Sequence, residues 1–168
     1  MRTFLTLASL GGLLLHAETV AGLSWTAPVG WTSKGATQMR AATYVLGDNA
    51  ECVVYFFGTG QGGSVQANLD RWKGQFTNAE GKASAAKIAN RKVHGLAVTT
   101  IDVAGNYSGM GGPLVQTQTV AAGFRLLGAI VEGPGGNVFL KFAGPASVVA
   151  QNEAKFRQMV ESFVKAAQ

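Results

Sequence analysis

Gly58, Gly60 and Gly63 stand in the spacing G-x-G-x-x-G within "VVYFFGTGQGGSVQANLDRWKGQF". An apolar run precedes them and an amphipathic run follows, the context in which that spacing marks a dinucleotide-binding turn. The chemistry needs more than glycines. It needs a parallel β-α-β crossover, and an acidic residue closing the second strand about 20 residues on. Here the amphipathic run gives way to the polar "TNAEGKASAA", and no apolar strand ending in Asp or Glu follows at once. Gly-Lys-Ser/Thr is absent as well, so the phosphate loop of NTPases is not met. No cofactor is expected. The plain reading of "GTGQGG" is a turn that feeds a helix. The sharper one is an anion site over Gly62, Gly63 and Ser64, where the first N–H groups of that helix lack intrahelical partners.

Other residues of chemical interest are sparse. His94 is the one histidine beyond the N-terminal segment, and no nucleophile-elbow motif accompanies it. Cys52 is the single cysteine, so no intramolecular disulfide can form; its apolar setting, "ECVVYFF", makes it a small buried hydrophobe. His and Cys are too few for a zinc centre, and no D-x-D-x-D-G calcium loop occurs. Asp48 and Glu51 lie close in sequence, and paired carboxylates can run acid–base chemistry. A carboxylate in a turn is more often a turn former. Trp25 and Trp31, in "WTAPVGW", either line a ligand groove or close an edge of the core, and tryptophan's usual burial favours the core.

Periodicity gives the elements that must position these residues. "MRAATYVL" (39–46) and "ECVVYFF" (51–57) read as strands joined by the turn "GDNA". Residues 64–76 read as a helix with Ser64 as N-cap and Val65, Leu69, Trp72 and Phe76 as one apolar stripe. "AKIANRKV" and "LAVTTIDVAG" flank His94-Gly95 as a tight hairpin, and "FRLLGAIVEG" and "NVFLKFAG" flank "GPGG" as another. The spacing predicts a last helix over 145–166. Its buried stripe is Val149, Phe156, Val160 and Phe163, and Glu153, Arg157, Glu161 and Lys165 form a charge ladder on its surface. Repeated hairpins imply a mostly antiparallel sheet, which the helices flank to bury their stripes: an α+β domain in an α/β/α sandwich.

The start, "MRTFLTLASLGGLLLHAETVAG", has the layout of a secretory signal: a basic residue, an apolar run and then small residues. We expect residues 1–21 to be a signal peptide, with cleavage after Ala17 or Ala21, and residues 22–168 to be a single α+β domain that is periplasmic or secreted. The apolar run is short for a membrane span. The net charge of +5 comes from dispersed Lys and Arg, a solvated surface with no nucleic-acid footprint.

"WTAPVGW", the strand pair, the helix "ANLDRWKGQF", the hairpins and the terminal "VESFV" together resemble the PsbP/Mog1-like superfamily, in particular its exported bacterial branch. The resemblance implies an antiparallel sheet flanked by helices and a mostly non-catalytic role. Some members assist photosystem assembly and manganese retention, and one branch binds a nuclear small GTPase. No motif for either role is present, so no functional residue carries over. The expected function is a binding or assembly-accessory domain of the cell envelope. The alternatives are an anion-binding module at the glycine loop, or an enzyme with a carboxylate or serine site.

One segment invites a partner. "GNYSGMGGPLVQTQTVAAG" (105–123) reads as a loop, far longer than the usual connection of about 4–6 residues. Tyr107, Met110, Leu114 and Val115 are its apolar candidates for contact with an envelope protein.

Overall fold

The computed structural model describes residues 17–47, 49–110 and 119–167. In chain order the elements are β1 (Ala17–Val20), β2 (Leu23–Thr26), β3 (Thr32–Ser33), β4 (Arg40–Leu46), β5 (Ala50–Tyr55), α1 (Val65–Gly74), β6 (Phe76–Thr77), β7 (Ala86–Val93), β8 (Leu96–Met110), β9 (Thr119–Gly133), β10 (Gly136–Pro145), α2 (Ala146–Glu161) and β11 (Val164–Lys165). The main sheet runs β3-β4-β5-β10-β9-β8-β6, with β7 also paired to β8. Its described pairings are all antiparallel. The expected α+β architecture, an antiparallel sheet flanked by helices, is what the chain forms.

Each sheet face carries its own core. On one face α2 lays Val149, Phe156, Met159 and Val160 against Cys52, Val54, Leu127, Leu140 and Phe142. On the other, α1 lays Leu69 and Trp72 against Ile101, Val103, Leu126, Ile130 and Phe139. Trp72 packs directly on Gly128. A Cβ there would come within 2.6 Å of the indole, so only glycine lets the helix approach this closely. The α1 stripe is as expected, although the helix ends at Gly74 and Phe76 is buried from β6. Ser64 caps the helix, its Oγ accepting from the Ala67 N–H at 3.1 Å.

Two expectations fail in instructive ways, and one element stands outside them. The last helix stops at Glu161, not at 166. Ser162 is its C-cap, and the chain then pairs with β2. The physical gain is Phe163, fully buried and stacked on Trp25 at 5.2 Å between ring centres. Phe163 is thus core but not helix, and Lys165 is outside the charge ladder. A second, small sheet, β1-β2-β11, was not foreseen. Finally, the described part of the segment 105–123 is strand: β8 runs on to Met110, and β9 starts at Thr119. The register shifts at Gly105, whose φ of +152° suits glycine and whose missing side chain leaves room for the Thr77 carbonyl. β8 bends there, and β6 pairs with the part beyond it.

Candidate functional site

The predicted glycines serve backbone shape. Gly58, Gly60, Gly62 and Gly63 all have positive φ, between 71° and 105°. Gly62 is also pinned between rings, since a Cβ there would meet Phe57 at 2.7 Å and Phe139 at 2.8 Å. Its carbonyl accepts from Asn68 Nδ2 at 2.8 Å, and the buried Asn68 also binds the Ser64 carbonyl. Gly63 and Ser64 are exposed, with the Ser64 hydroxyl committed to capping. α1 does not lead into a parallel strand: β6 runs antiparallel to β8.

The other candidates scatter. His94 sits in its hairpin with φ of 47°, followed by Gly95 at 80°, and its Nδ1 lies 3.0 Å from the Phe163 carbonyl. It fastens the turn to Phe163, the residue after the C-cap of α2. Cys52 is fully buried, and burial pushes its thiol up. Asp48 lies outside the described residues. Glu51 is on β5 and pairs with Arg40 at 3.5 Å. Trp25 and Trp31 are both core, their indole N–H groups donating to Tyr44 and Asn152. Among the described residues no three His, Cys, Asp or Glu gather as metal ligands, and no helix is long and apolar enough to cross a membrane.

Tyr107, expected as an exposed partner contact, is buried at 4% exposure. It stacks between Phe76 and Phe124 because the bend at Gly105 folds it back over the sheet. Met110 ends β8; Leu114 and Val115 lie outside the described residues.

Two polar clusters emerge that sequence reasoning missed. On the α1 face, Lys141 of β10 donates from Nζ to Gln75 Oε1 and to the Tyr107 hydroxyl, both at 2.9 Å. Both acceptors are neutral. Burial, helped by the charge of Arg71, pulls the ammonium down to about 8, against the smaller opposing pull of Glu51. Burial also pushes the Tyr107 phenol up to about 12. An amine of this kind is partly neutral near pH 8, the property of a general base or a nucleophile. Its bonded neighbours are an amide and a phenol.

On the α2 face, Arg125 of β9 grips Asp102 of β8 with two bonds, of 2.9 and 2.8 Å, and reaches Glu153 of α2 at 2.8 Å. Arg157 also binds Glu153. The bond from Arg125 holds the Asp102 carboxyl below its usual range; bonds from Arg157 and then Arg125 do the same for Glu153. Apart from Glu153 and Arg157, the i,i+4 pair of the expected charge ladder, the partners in each cluster come from different elements, so no local spacing announces them. A lysine in the otherwise apolar "NVFLKFAG" was the one available signal.

No protein-family model matches the chain, and no curated protein matches it in sequence. Solved structures do. PA94, a protein of unknown function from Pseudomonas aeruginosa, is similar with a TM-score of 0.47 at 11% identity, over 91% of this chain and 98% of that one. The solution structure of cyanobacterial PsbP (CyanoP) from Synechocystis sp. PCC 6803 superposes with a TM-score of 0.52 at 12% identity, over 95% of this chain and 98% of that one. At that identity the likeness speaks for architecture alone, and in architecture this chain has the PsbP/Mog1-like fold.

Proposed function

We propose that this chain is an exported, non-catalytic binding or assembly-accessory domain of the cell envelope. The observation that carries the reading is how its reactive groups are used. Asp102 and Glu153 are held by arginines, Lys141 by neutral oxygens, His94 by a carbonyl, and Cys52 is sealed in the core. Groups engaged in this way build a scaffold, and the surface is left for contacts. The PsbP-like architecture agrees with such a role by fold-level analogy.

The partner contact is the β8–β9 tip. β10 pairs with β9 only as far as Phe124, so the ends of β8 and β9 run past the sheet as a two-stranded arm, braced by β6. Replacing residues 111–118 with a Gly-Ser linker leaves Tyr107 and Ser108 in place. The fold is expected to persist, while affinity purification from the native envelope loses its specific partner. Unchanged partner recovery would move the contact elsewhere.

Export makes a sharper statement. β1 pairs with β2, and Glu18 accepts a bond of 2.8 Å from the Tyr44 hydroxyl. Cleavage after Ala21 would delete that strand, whereas cleavage after Ala17 keeps Glu18. N-terminal sequencing of the protein recovered from the envelope is expected to start at Glu18. A start at Gly22 would mean that the mature fold dispenses with β1, and a retained Met1 would defeat export.

A further inference from the structure

Between α2 and the outer strand β7 lies a cleft of about 230 Å³. Its base is apolar, built by Leu127, Phe156 and Val160, which are nearly fully buried. Its walls carry three cations, Lys87 and Arg91 from β7 and Arg157 from α2, against one carboxylate, Asp102 of β8, which Arg125 already grips. The cleft exists because α2 packs over β9 and β10 while the sheet continues sideways to β7.

The charges around it do not balance. Arg125 and Arg157 are matched by Asp102 and Glu153, and Arg91 by Glu161 at 3.1 Å. Lys87 stands opposite Asp102 in the β7–β8 register, yet makes no ion pair among the described residues. One positive charge is therefore left over beside an apolar floor. Arg91 also keeps its Nε buried with no acceptor among the described residues, so its guanidinium is incompletely bonded where it stands.

We propose that this cleft binds a small amphipathic monocarboxylate, its apolar body on Leu127, Phe156 and Val160 and its carboxylate between Lys87 and Arg91. The volume equals roughly eight water molecules, which suits a body of about that many heavy atoms. A single negative charge cancels the excess; a dianion would overshoot it and face the Asp102 carboxylate. Apolar floor and charged rim act together, as in small-molecule sites generally. The ligand site is separate from the partner contact at the β8–β9 tip, and either can fail alone.

The test is an NMR titration of the purified protein with sodium octanoate, with 1-octanol and inorganic phosphate as controls. Octanoate is expected to give saturable shifts at the amides of Lys87, Ala89, Arg91, Phe156 and Val160. Octanol lacks the charge and phosphate lacks the apolar body, so each should bind about tenfold more weakly or worse. Lys87→Met should weaken octanoate by about tenfold while leaving the rest of the spectrum unchanged, since Lys87 is exposed. Ala89→Phe, which fills the cleft from an exposed position, should abolish binding. Shifts mapping elsewhere, no saturation, octanol or phosphate equal to octanoate, or an indifferent Lys87→Met would each overturn the proposal. The β8–β9 linker variant should bind octanoate normally, so loss of a partner and loss of this ligand can be told apart.

Discussion

Arg125 and Lys141 stand on adjacent strands, β9 and β10, and face opposite sides of one sheet. Both cations are substantially withdrawn from water, and their fates diverge. Arg125 meets two carboxylates, and the bond with Asp102, more than any other influence, raises its affinity for the proton. Lys141 meets a phenol and an amide, and burial weakens its hold on the proton. The difference lies in the partners, since hydration lost on burial is restored by opposite charge and only partly by neutral oxygens. On the α2 face the half-buried Arg125 is thus charge-compensated, by Asp102 and Glu153. The α1 face holds an uncompensated cation beneath aromatic rings.

Trp72 should reveal how far that second environment depends on cover. The indole lies on Gly128, the register partner of Lys141. Trp72→Ala is expected to cost roughly 3–5 kcal/mol by denaturant unfolding. It should also admit water beside the ammonium and return its titration toward the usual lysine range. NMR observation of the Lys141 Nζ or Cε checks this. A melting temperature close to wild type, or an unmoved Lys141 titration, would mean that the rings do not isolate the cation.

Next in size is the pH dependence. Lys141 binds its proton less tightly folded than unfolded, so between about 8 and its unfolded value the unfolded chain holds more protons and stability rises with pH. Cys52, Tyr44, Tyr55 and Tyr107 act in the opposite sense. Their folded values are raised, so their contributions are present below the unfolded values and lost as pH rises through the folded ones. Comparison with Lys141→Met cancels those shared terms. Relative to that variant, the wild type should gain on the order of 2–3 kcal/mol between pH 7 and 10, read from urea midpoints. Parallel profiles would mean that Lys141 is solvated like any surface lysine.

This asymmetry was hidden in the sequence for a physical reason. The α1 stripe was legible because Val65, Leu69 and Trp72 repeat at helical spacing on one element. The hairpins at His94-Gly95 and at the "GPGG" turn were legible because tight turns leave local marks. Lys141 joins Gln75 and Tyr107 only through the bend at Gly105, and a glycine among polar residues reads as loop whether or not it is a bulge. The two- and four-residue strands of the small sheet carry too little pattern to be seen at all. Phe163 fitted the helical stripe by spacing, yet stacking on Trp25 drew it into the turn after the helix. Tertiary contact decided each of these.

The smallest effect separates the inner and outer members of the arginine network. Glu153 has two guanidinium partners: Arg125, 18% exposed, and Arg157, 62% exposed. The bond from Arg157 is the first cause of the lowered Glu153 carboxyl, yet water and salt screen an exposed pair of this kind. Removing Arg157 leaves Glu153 bound to Arg125, so no charge is stranded. Arg157→Ala should therefore cost only about 0.3–0.5 kcal/mol at pH 7, the usual worth of an i,i+4 pair. Because the folded Glu153 value is lowered, that contribution is present above the unfolded glutamate value of about 4.3 and fades as pH falls through the folded one. It should also vanish in 1 M salt, where the screening length falls to about 3 Å. Urea midpoints of wild type and variant at pH 7, at pH 3 and at high salt read all three conditions. A loss above about 1 kcal/mol that persists in salt would mean that Arg157, and not Arg125, holds the carboxylates, and the α2 face would then be compensated from solvent rather than from within the sheet.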